Sequence, residues 1–341
     1  MQVEKGLSAI MNADIFIEND YQFHYMQEGK DLKKIVLLIA IIVVGLLAAC
    51  GNTASSSKEK KEDTRTYTMT NKKTVKIPAH PKKIVTEDYS GDLIALGIKP
   101  IATASSQFDN PFIKNDMKGV KKLGDPVSAE KVAELSPDLI IVSKEDTYKK
   151  LSKIAPTVLI PYGATKTVEE ELTMFGELLN KKTEAKKWIA DYHEKAKQAR
   201  AKIQGKLPKN ATFGIYEVQD KDFYIMGQNM GRGGQIIYHA LGLEPPKKIK
   251  KDVFEGQDWK KISLEVLPDY AADYMFVTAY SSSQKQGERT LADMKESGIW
   301  KDLPALKKNH LFEMDFNKMF YYDPVAIEGQ LDIIVDKLLK N

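Results

Sequence analysis

The stretch from Thr183 to Gly205 constrains the fold of this chain more than any other segment. It has no glycine or proline before its last residue and is rich in alanine, lysine, glutamate and glutamine, which are good helix formers. At about 1.5 Å per residue, a helix of this length spans roughly 30 Å. Since both flanking regions have an α/β pattern, the stretch predicts a helix that joins two lobes and permits only limited hinge motion.

Both flanking regions alternate short β-branched runs with amphipathic helical stretches. The first half contains KKIVTED, PDLIIVS and TVLIPY, and the second contains ATFGIYEV, DYMFVTAY and HLFEMDF. This alternation is typical of parallel sheets covered by helices, and DFYIMG is expected to be the hairpin partner of ATFGIYEV. PDLIIVS and DYMFVTAY occupy equivalent places in the two halves, which indicates weak internal pseudosymmetry. We therefore expect an α/β fold with two Rossmann-like lobes (66–182 and 206–341), a connecting helix (183–205) and a ligand cleft between the lobes.

The region before the first lobe has the features of a secretory signal. Residues 35–49 are an uninterrupted apolar or small-residue run behind Lys33 and Lys34. The run is shorter than the roughly 20 residues of a membrane span and suits a signal h-region. It ends in LAAC, and Cys50 is the only cysteine, so no intrachain disulfide can form. LAAC resembles a bacterial lipobox, which implies lipidation of Cys50.

We interpret residues 1–50 as the signal peptide, with 1–25 as an over-extended start. Residues 51–65 are small, polar and charged, which is typical of a flexible tether.

Charge and motifs argue against nucleic-acid binding and against catalysis. The formal net charge is +4, but lysines alternate with acids along the predicted helices, which is the pattern of solvated helix faces. The chain has no GxSxG or GxxxxGK[ST] motif, and its five histidines have no HExxH spacing. We expect a binding protein without a resident metal or cofactor.

Four segments carry a resemblance to a known family. They are TVKIPAHPKKIV followed by DLIALGIKP, KKLGDPVSAEKVAELSPDLIIVS, YIMGQNMGRGGQIIYHALGL, and KMFYYDPVAI. Over about residues 74–340 their order and spacing resemble the iron–siderophore and cobalamin binding proteins of bacterial ABC importers, in particular the ferric-hydroxamate-binding lipoproteins of Gram-positive bacteria. The resemblance implies a monomer on the outer face of the cell membrane that delivers a ferric siderophore to a permease with its ATPase. Iron would be bound only as the chelate.

The chemistry of such a chelate indicates candidate site residues. A ferric hydroxamate is roughly neutral, with an apolar backbone and a rim of oxygens, so its receptor needs flat aromatic surfaces and a few fixed donors. Arg232 lies in a GRGG segment at an expected helix start, and its planar fork suits paired oxygens. The alternative is that Arg232 forms a structural ion pair.

The remaining candidates flank Arg232 or follow predicted strands of the other lobe. The resemblance places Tyr224 and Met230 beside Arg232, with Met230 replacing the family's usual tryptophan. It also implies an aromatic wall made of Phe320, Tyr321 and Tyr322. Open α/β sheets present ligand contacts at strand ends, and in the first lobe such positions are occupied by Tyr89, Gln107, Phe108 and Lys144.

Two acids are candidates for a different role. Glu130 in SAEKV and Glu265 in SLEVL begin predicted helices, one in each half. The resemblance implies that each docks into the permease. The alternative is that each acid only stabilises a helix N-terminus.

Two alternatives concern the ligand. Tyr321 and Tyr322 resemble the phenolate pair of transferrin-like iron binders, with Asp323 and His310 as further ligands of bare Fe(III). A catecholate or citrate siderophore, including a citrate-hydroxamate, is the other alternative. Receptors for such anionic chelates usually gather several cations, whereas here Arg232 is supplemented only by Lys144 and Arg289, which favours hydroxamates.

Overall fold

The computed structural model describes residues 63–220, 222–280 and 291–340. Cys50 and Arg289 lie outside these ranges. Within them, no helix combines the length and the apolar character that a bilayer crossing requires.

A β-hairpin begins the described part of the chain. Strand β1 (Thr64–Thr68) pairs antiparallel with β2 (Thr74–Pro78). Ile77 and Met69 are buried in the hydrophobic core of the first lobe. The hairpin therefore belongs to that lobe, and regular structure in the described part of the chain starts at Thr64.

The first lobe is built on a five-stranded parallel sheet. Its strands, in spatial order, are β5 (Lys121–Lys122), β4 (Ala102–Thr103), β3 (Ile84–Thr86), β6 (Leu139–Val142) and β7 (Thr157–Leu159). Strands β3, β4, β6 and β7 are buried along their whole length, as expected for a parallel sheet covered on both faces. The strand order reverses direction between β3 and β6, and open α/β sheets bind ligands at such a switch point.

Three α-helices and a short 3₁₀-helix (Ser105–Asp109) connect these strands, and a fourth α-helix follows the last strand, β7. The α-helices are α1 (Ser90–Ala95), α2 (Ala129–Leu135), α3 (Glu145–Leu151) and α4 (Val168–Leu178). Side-chain caps fix two of their starts: Ser128 accepts a hydrogen bond from the Lys131 amide, and Thr167 accepts one from the Glu170 amide. The predicted helices of this lobe are confirmed.

The second lobe has a mixed five-stranded sheet. Its spatial order is β10 (Trp259–Ile262), β9 (Asp222–Met226), β8 (Phe213–Gln219), β11 (Tyr274–Tyr280) and β12 (Leu311–Met314). Strands β8, β11 and β12 are parallel, while β9 and β10 are antiparallel additions. The predicted hairpin of β8 with β9 is confirmed. Strands β6 and β11 each pair in parallel with the first strand of their sheet along the chain, in keeping with the predicted pseudosymmetry.

The second lobe contains 3₁₀- and π-helical turns as well as α-helices. Its α-helices after the connecting helix α5 (Lys182–Ile203) are α6 (Lys247–Ile249), α7 (Gly298–Lys301), α8 (Pro304–Lys307), α9 (Phe316–Phe320) and α10 (Pro324–Leu339). The remaining turns are π-helical at Gln235–Ala240 and Lys250–Phe254 and 3₁₀-helical at Leu264–Tyr270.

Two predicted helices of this lobe differ in type. SLEVLPDYA is a 3₁₀-helix that contains Pro268, which lacks the N–H that a regular α-helix needs. GGQIIYHALG is a π-helix, in which the Leu241 amide donates to the Ile236 carbonyl five residues earlier.

Helix α5 (Lys182–Ile203) joins the lobes by packing into both cores. Ala185 belongs to the core of the first lobe, whereas Tyr192 and Ala196 belong to that of the second. Trp188 contacts both cores and stacks on Tyr192 with ring centroids 5.0 Å apart. The predicted two-lobe α/β fold with one helical connection is confirmed.

Helix α10 also contacts the first lobe directly. A Cβ added at Gly329 would lie 2.3 Å from the Phe112 ring, and one added at Gly91 would lie 2.0 Å from Asp323. The Asn110 amide donates a 2.8 Å hydrogen bond to Asp323 across the same contact. Glycines at these two positions thus permit close approach of the lobes.

Candidate ligand cleft between the two lobes

A cleft of about 440 Å³ lies between the lobes. The first lobe contributes Asp88, Tyr89, Asp92, Gln107, Ser143, Lys144, Tyr162 and Glu171, and the second contributes Met230, Arg232, Phe320, Tyr321, Tyr322 and Asp323. Eight of the ten predicted ligand-contact residues are among them. The structure therefore brings most of the predicted site together in one cavity.

The wall of the first lobe is built at the switch point of its sheet. Tyr89 follows β3, and Lys144 follows β6 at the adjacent carboxyl end. The buried Tyr89 hydroxyl donates to the Ile160 carbonyl at 2.5 Å, and its ring centroid is 5.1 Å from that of Phe175. These contacts hold the Tyr89 ring as a fixed apolar surface.

Lys144 has a carboxylate partner beside the cleft. Its Nζ lies 3.3 Å from Oε1 of Glu87, a buried residue at the end of β3. Glu87 also accepts hydrogen bonds from the Ser143 amide at 3.1 Å and the Thr147 hydroxyl at 3.0 Å. The ammonium charge is thus compensated within the protein.

Arg232 is held from both its backbone and its side chain. Its φ is +69°, and its amide donates to the Met319 carbonyl at 2.7 Å. Arg232 Nε donates to Glu217 Oε2 at 2.6 Å, and Nη2 lies 3.4 Å from Oε1. The guanidinium carbon lies 5.0 Å from the Phe316 ring centroid and 4.8 Å from that of Phe320. Arg232 therefore makes the structural ion pair that was the alternative role and also lines the cleft.

The predicted aromatic wall of Phe320, Tyr321 and Tyr322, called the aromatic turn below, contacts the first lobe from the second. Tyr321 donates its hydroxyl to the Ser106 carbonyl at 3.2 Å, and Tyr322 donates to the Lys166 carbonyl at 3.1 Å. The buried Gln330 side chain donates to the Lys318 and Tyr321 carbonyls at 2.9 and 2.7 Å. Gln330 thereby fixes the turn, although nothing in its sequence context indicates this role.

The two tyrosines do not have the arrangement expected of bare-iron ligands. Their hydroxyls donate to separate carbonyls, and burial raises the pKa of both phenols, which disfavours phenolate. His310 stacks on Tyr274 at 4.0 Å and is not a lining residue of the cleft. Within the described ranges, no group of three or more His, Cys, Asp or Glu side chains could hold a metal ion.

Three buried carboxyl groups, those of Asp92, Glu171 and Asp323, lie at the cleft. Asp92 and Glu171 were absent from the sequence prediction, whereas Asp323 was named there only as a ligand in the bare-iron alternative. Burial raises the pKa of Glu171 to about 7 and that of Asp323 to about 6, and it raises the pKa of Asp92 well above its usual value. Asp323 caps α10 by accepting from the Ala326 amide at 3.0 Å, so its position before Pro324 was a usable signal. Glu171 lies inside α4 and gives no such signal.

Tyr162 was also absent from the predicted set. It follows β7, a predicted strand, by three residues. The strand-end rule that indicated Tyr89 and Lys144 could therefore have identified it.

Two predicted residues lie outside the cleft. Tyr224 is in β9 beside Trp259, with ring centroids 5.9 Å apart. Phe108 packs against a small hydrophobic cluster, and the Lys122 ammonium lies 4.7 Å from its ring centroid. Phe108 follows Gln107 in a 3₁₀-helix, and the two adjacent side chains have different environments.

Both predicted docking acids are on the surface. Glu130 lies in the first turn of α2 and Glu265 in the first turn of the 3₁₀-helix. Both are exposed, and neither forms an ion pair with another residue of the described ranges. They are available for contact with a partner.

Comparison with known proteins identifies the family. Residues 84–317 match the model of the family described as periplasmic binding protein. The chain belongs to this family. Its members are extracytoplasmic substrate-binding proteins of ABC importers, which assigns the chain to that class.

Several family members are similar over most of their length. The iron(3+)-hydroxamate-binding protein YxeB of Bacillus subtilis is 48% identical over 283 residues, which cover 83% of this chain and 87% of that protein. A FhuD fold-family component of a ferrichrome ABC transporter from B. subtilis superposes with a TM-score of 0.72 at 38% identity, covering 81% of this chain and 100% of that one. FhuD2 of Staphylococcus aureus with bound ferrioxamine B has a TM-score of 0.67 at 29% identity, covering 76% and 98%.

Proposed function

We propose that this chain captures a ferric siderophore, of the hydroxamate class, in the cleft between its lobes and delivers it to an ABC import permease. The names of its similar proteins, an iron(3+)-hydroxamate-binding protein and a component of a ferrichrome transporter, support this function.

The charge distribution around the cleft is the observation that carries the ligand class. Its two cationic side chains are already paired, Arg232 with Glu217 and Lys144 with Glu87. The lining also contains four carboxyl groups, those of Asp88, Asp92, Glu171 and Asp323. A strongly anionic catecholate or citrate chelate would lose hydration without finding an uncompensated cation. A neutral or cationic trihydroxamate avoids that cost.

The shape and donors of the cleft suit the same ligand. The exposed ring of Phe320 and the partly exposed rings of Tyr321 and Tyr322 offer apolar surface to a chelate backbone. Arg232 has five N–H donors, of which two face Glu217. The others remain for the oxygens on the rim of a ferric hydroxamate.

Anchoring and delivery use other parts of the chain. Lipidation of Cys50 would hold the protein at the outer face of the cell membrane, with the ligand-binding lobes as a monomer on the tether that follows. Glu130 and Glu265, exposed on separate lobes, would dock into cationic pockets of the permease.

Titration calorimetry with a panel of chelates tests the proposal. Ferrichrome and ferrioxamine should bind at least about tenfold more tightly than ferric citrate or a ferric catecholate. Iron-free siderophores and ferric nitrilotriacetate are the controls, and both should bind more weakly than the ferric hydroxamates. A tyrosinate charge-transfer band with ferric nitrilotriacetate, or preferred binding of the anionic chelates, would contradict the proposal.

A further inference from the structure

A second cavity of about 350 Å³ adjoins the cleft. The two cavities share Tyr162, Glu171, Met230 and Tyr322, and the second one extends to Asp258 and Trp259. We call these six residues the annex. Because four of them line both cavities, a ligand in the main cleft can extend a flexible group into the annex.

The annex has aromatic walls that are open to water. Trp259 is 42% exposed and Tyr162 is 66% exposed, and both are among the five large hydrophobic side chains with high exposure in the described ranges. Phe320, at the main cleft, is a third member of that group. Exposed aromatic side chains concentrated around a cavity indicate a contact surface for a ligand.

The annex also contains oriented carboxyl groups. Asp258 accepts from the Gln228 amide at 3.0 Å and from the Asn229 amide at 2.6 Å, so its side chain is fixed while each oxygen keeps a further lone pair. Glu171 accepts from the Thr165 hydroxyl at 3.4 Å. Burial raises the pKa of Asp258 to about 6 and that of Glu171 to about 7, so Asp258 is the acid that is mainly ionised at neutral pH, and its charge balances that of Lys166 in the same lining. The annex therefore offers an ammonium group oriented carboxyl oxygens as hydrogen-bond acceptors.

We propose that the annex binds a pendant aliphatic arm with a terminal ammonium, carried by a linear trihydroxamate whose ferric centre occupies the main cleft. This inference rests on the proposed function and specifies the ligand class further. The aromatic walls contact the methylene groups and attract the cation, and the carboxyl groups accept its hydrogen bonds. Met230, which lines both cavities, is unbranched and can adapt to the passage of the arm.

Three ferric chelates that all bind iron through hydroxamate groups distinguish the contribution of the arm to affinity from that of the ferric centre. Ferrioxamine B is linear and has a free ammonium, its N-acetyl derivative keeps the arm without the charge, and ferrioxamine E is a closed ring without the arm. Calorimetry on the wild type should give ferrioxamine B about a five- to tenfold advantage over each of the others.

Variants locate this advantage in the annex. Trp259→Ala should reduce the preference for ferrioxamine B while changing the affinity for ferrioxamine E by less than about twofold, because Trp259 lines the annex and not the main cleft. Tyr162→Ala should also reduce the preference, but it should weaken the binding of both chelates because Tyr162 lines both cavities. Because both side chains are well exposed, the variants should fold, which circular dichroism checks. Val266→Ala, at a similarly exposed position outside both cavities, should keep the full preference.

The outcomes distinguish this inference from the proposed function. Equal affinities of the wild type for all three chelates, or a preference that both annex variants retain, would overturn the annex while leaving hydroxamate capture in place. If the wild type bound none of the three, hydroxamate capture and the annex would both be wrong.

Discussion

Arg232 and Glu217 form an ion pair, with Nε and Oε2 2.6 Å apart, in which the side chains are only 15% and 3% exposed. Glu217 lies on β8 and is also contacted by the Thr278 hydroxyl of β11 at 3.2 Å. The pair therefore connects the glycine-rich loop to the central strands of the second sheet. A group that lines the cleft thus also stabilises the lobe.

Arg232→Ala should impair both ligand binding and stability. The loss of a charge-assisted donor should weaken binding of a ferric hydroxamate roughly ten- to a hundredfold. Glu217 would be left buried without a cation, which should lower the free energy of unfolding by about 2–4 kcal/mol. Calorimetric titration and urea unfolding measure the two effects.

Two further variants separate the roles of Arg232. Arg232→Lys keeps the positive charge but lacks the planar guanidinium group, so compared with Arg232→Ala it should recover most of the stability and part of the affinity. Combining Arg232→Ala with Glu217→Gln should recover stability but not binding. Wild-type affinity in a folded Arg232→Ala protein would leave Arg232 with a structural role alone.

Glu171→Gln should change how stability depends on pH. Burial raises the pKa of Glu171 from 4.5 to about 7, so the folded state binds more protons than the unfolded state between these values. The contribution of Glu171 to stability is thus complete below pH 4.5 and is lost as pH rises through 7. Glutamine stays neutral, so the variant should be more stable than the wild type by about 1–3 kcal/mol at pH 8 and similar to it at pH 4.

Urea unfolding at several pH values between 4 and 8 checks this expectation. Glu177→Gln is the matched control, because Glu177 is an exposed acid on the same helix. Parallel stability curves for the wild type and Glu171→Gln would show that Glu171 ionises at its ordinary pKa.

Replacing both Glu130 and Glu265 with alanine should reduce uptake of the ferric siderophore by cells without changing its affinity for the isolated protein. Neither acid is among the residues that line the cleft, and removal of complementary charge mainly slows docking. Glu134→Ala with Asp269→Ala removes the same charge from the same two helices and is the control. Equal uptake by the two double variants would remove Glu130 and Glu265 from the docking surface.

Cys50→Ala should prevent lipid attachment and shift the protein from the membrane fraction to the medium, because the chain would lose its acyl anchor. Fractionation and the intact mass of the mature protein measure the change. Unchanged membrane association at an unchanged mass would refute the lipoprotein assignment.

Local sequence patterns predicted the framework of this protein. The absence of glycine and proline from 183 to 204 indicated helix α5, and β-branched runs indicated most of the strands. Tyr89 and Lys144 were found because the carboxyl end of a parallel strand is a position that the chain itself encodes. Arg232 was indicated by its glycine-rich context, and Phe320, Tyr321 and Tyr322 were indicated by the family resemblance of KMFYYDPVAI.

The tertiary structure alone decided which side chains meet. In the sequence, Glu217 is an ordinary strand residue and Glu171 an ordinary helix residue. Folding places Glu217 beside Arg232 and Glu171 in the lining of the cleft. Asn110 and Asp323 form a hydrogen bond although they are 213 residues apart in the sequence. Gln107 lines the cleft and the adjacent Phe108 does not, a difference that depends on tertiary packing and not on their positions in the sequence. Secondary structure follows from near neighbours, so the sequence by itself determined the two lobes and their connection. The charges and cavities of the cleft arise from contacts between distant segments, so only the tertiary structure could decide them.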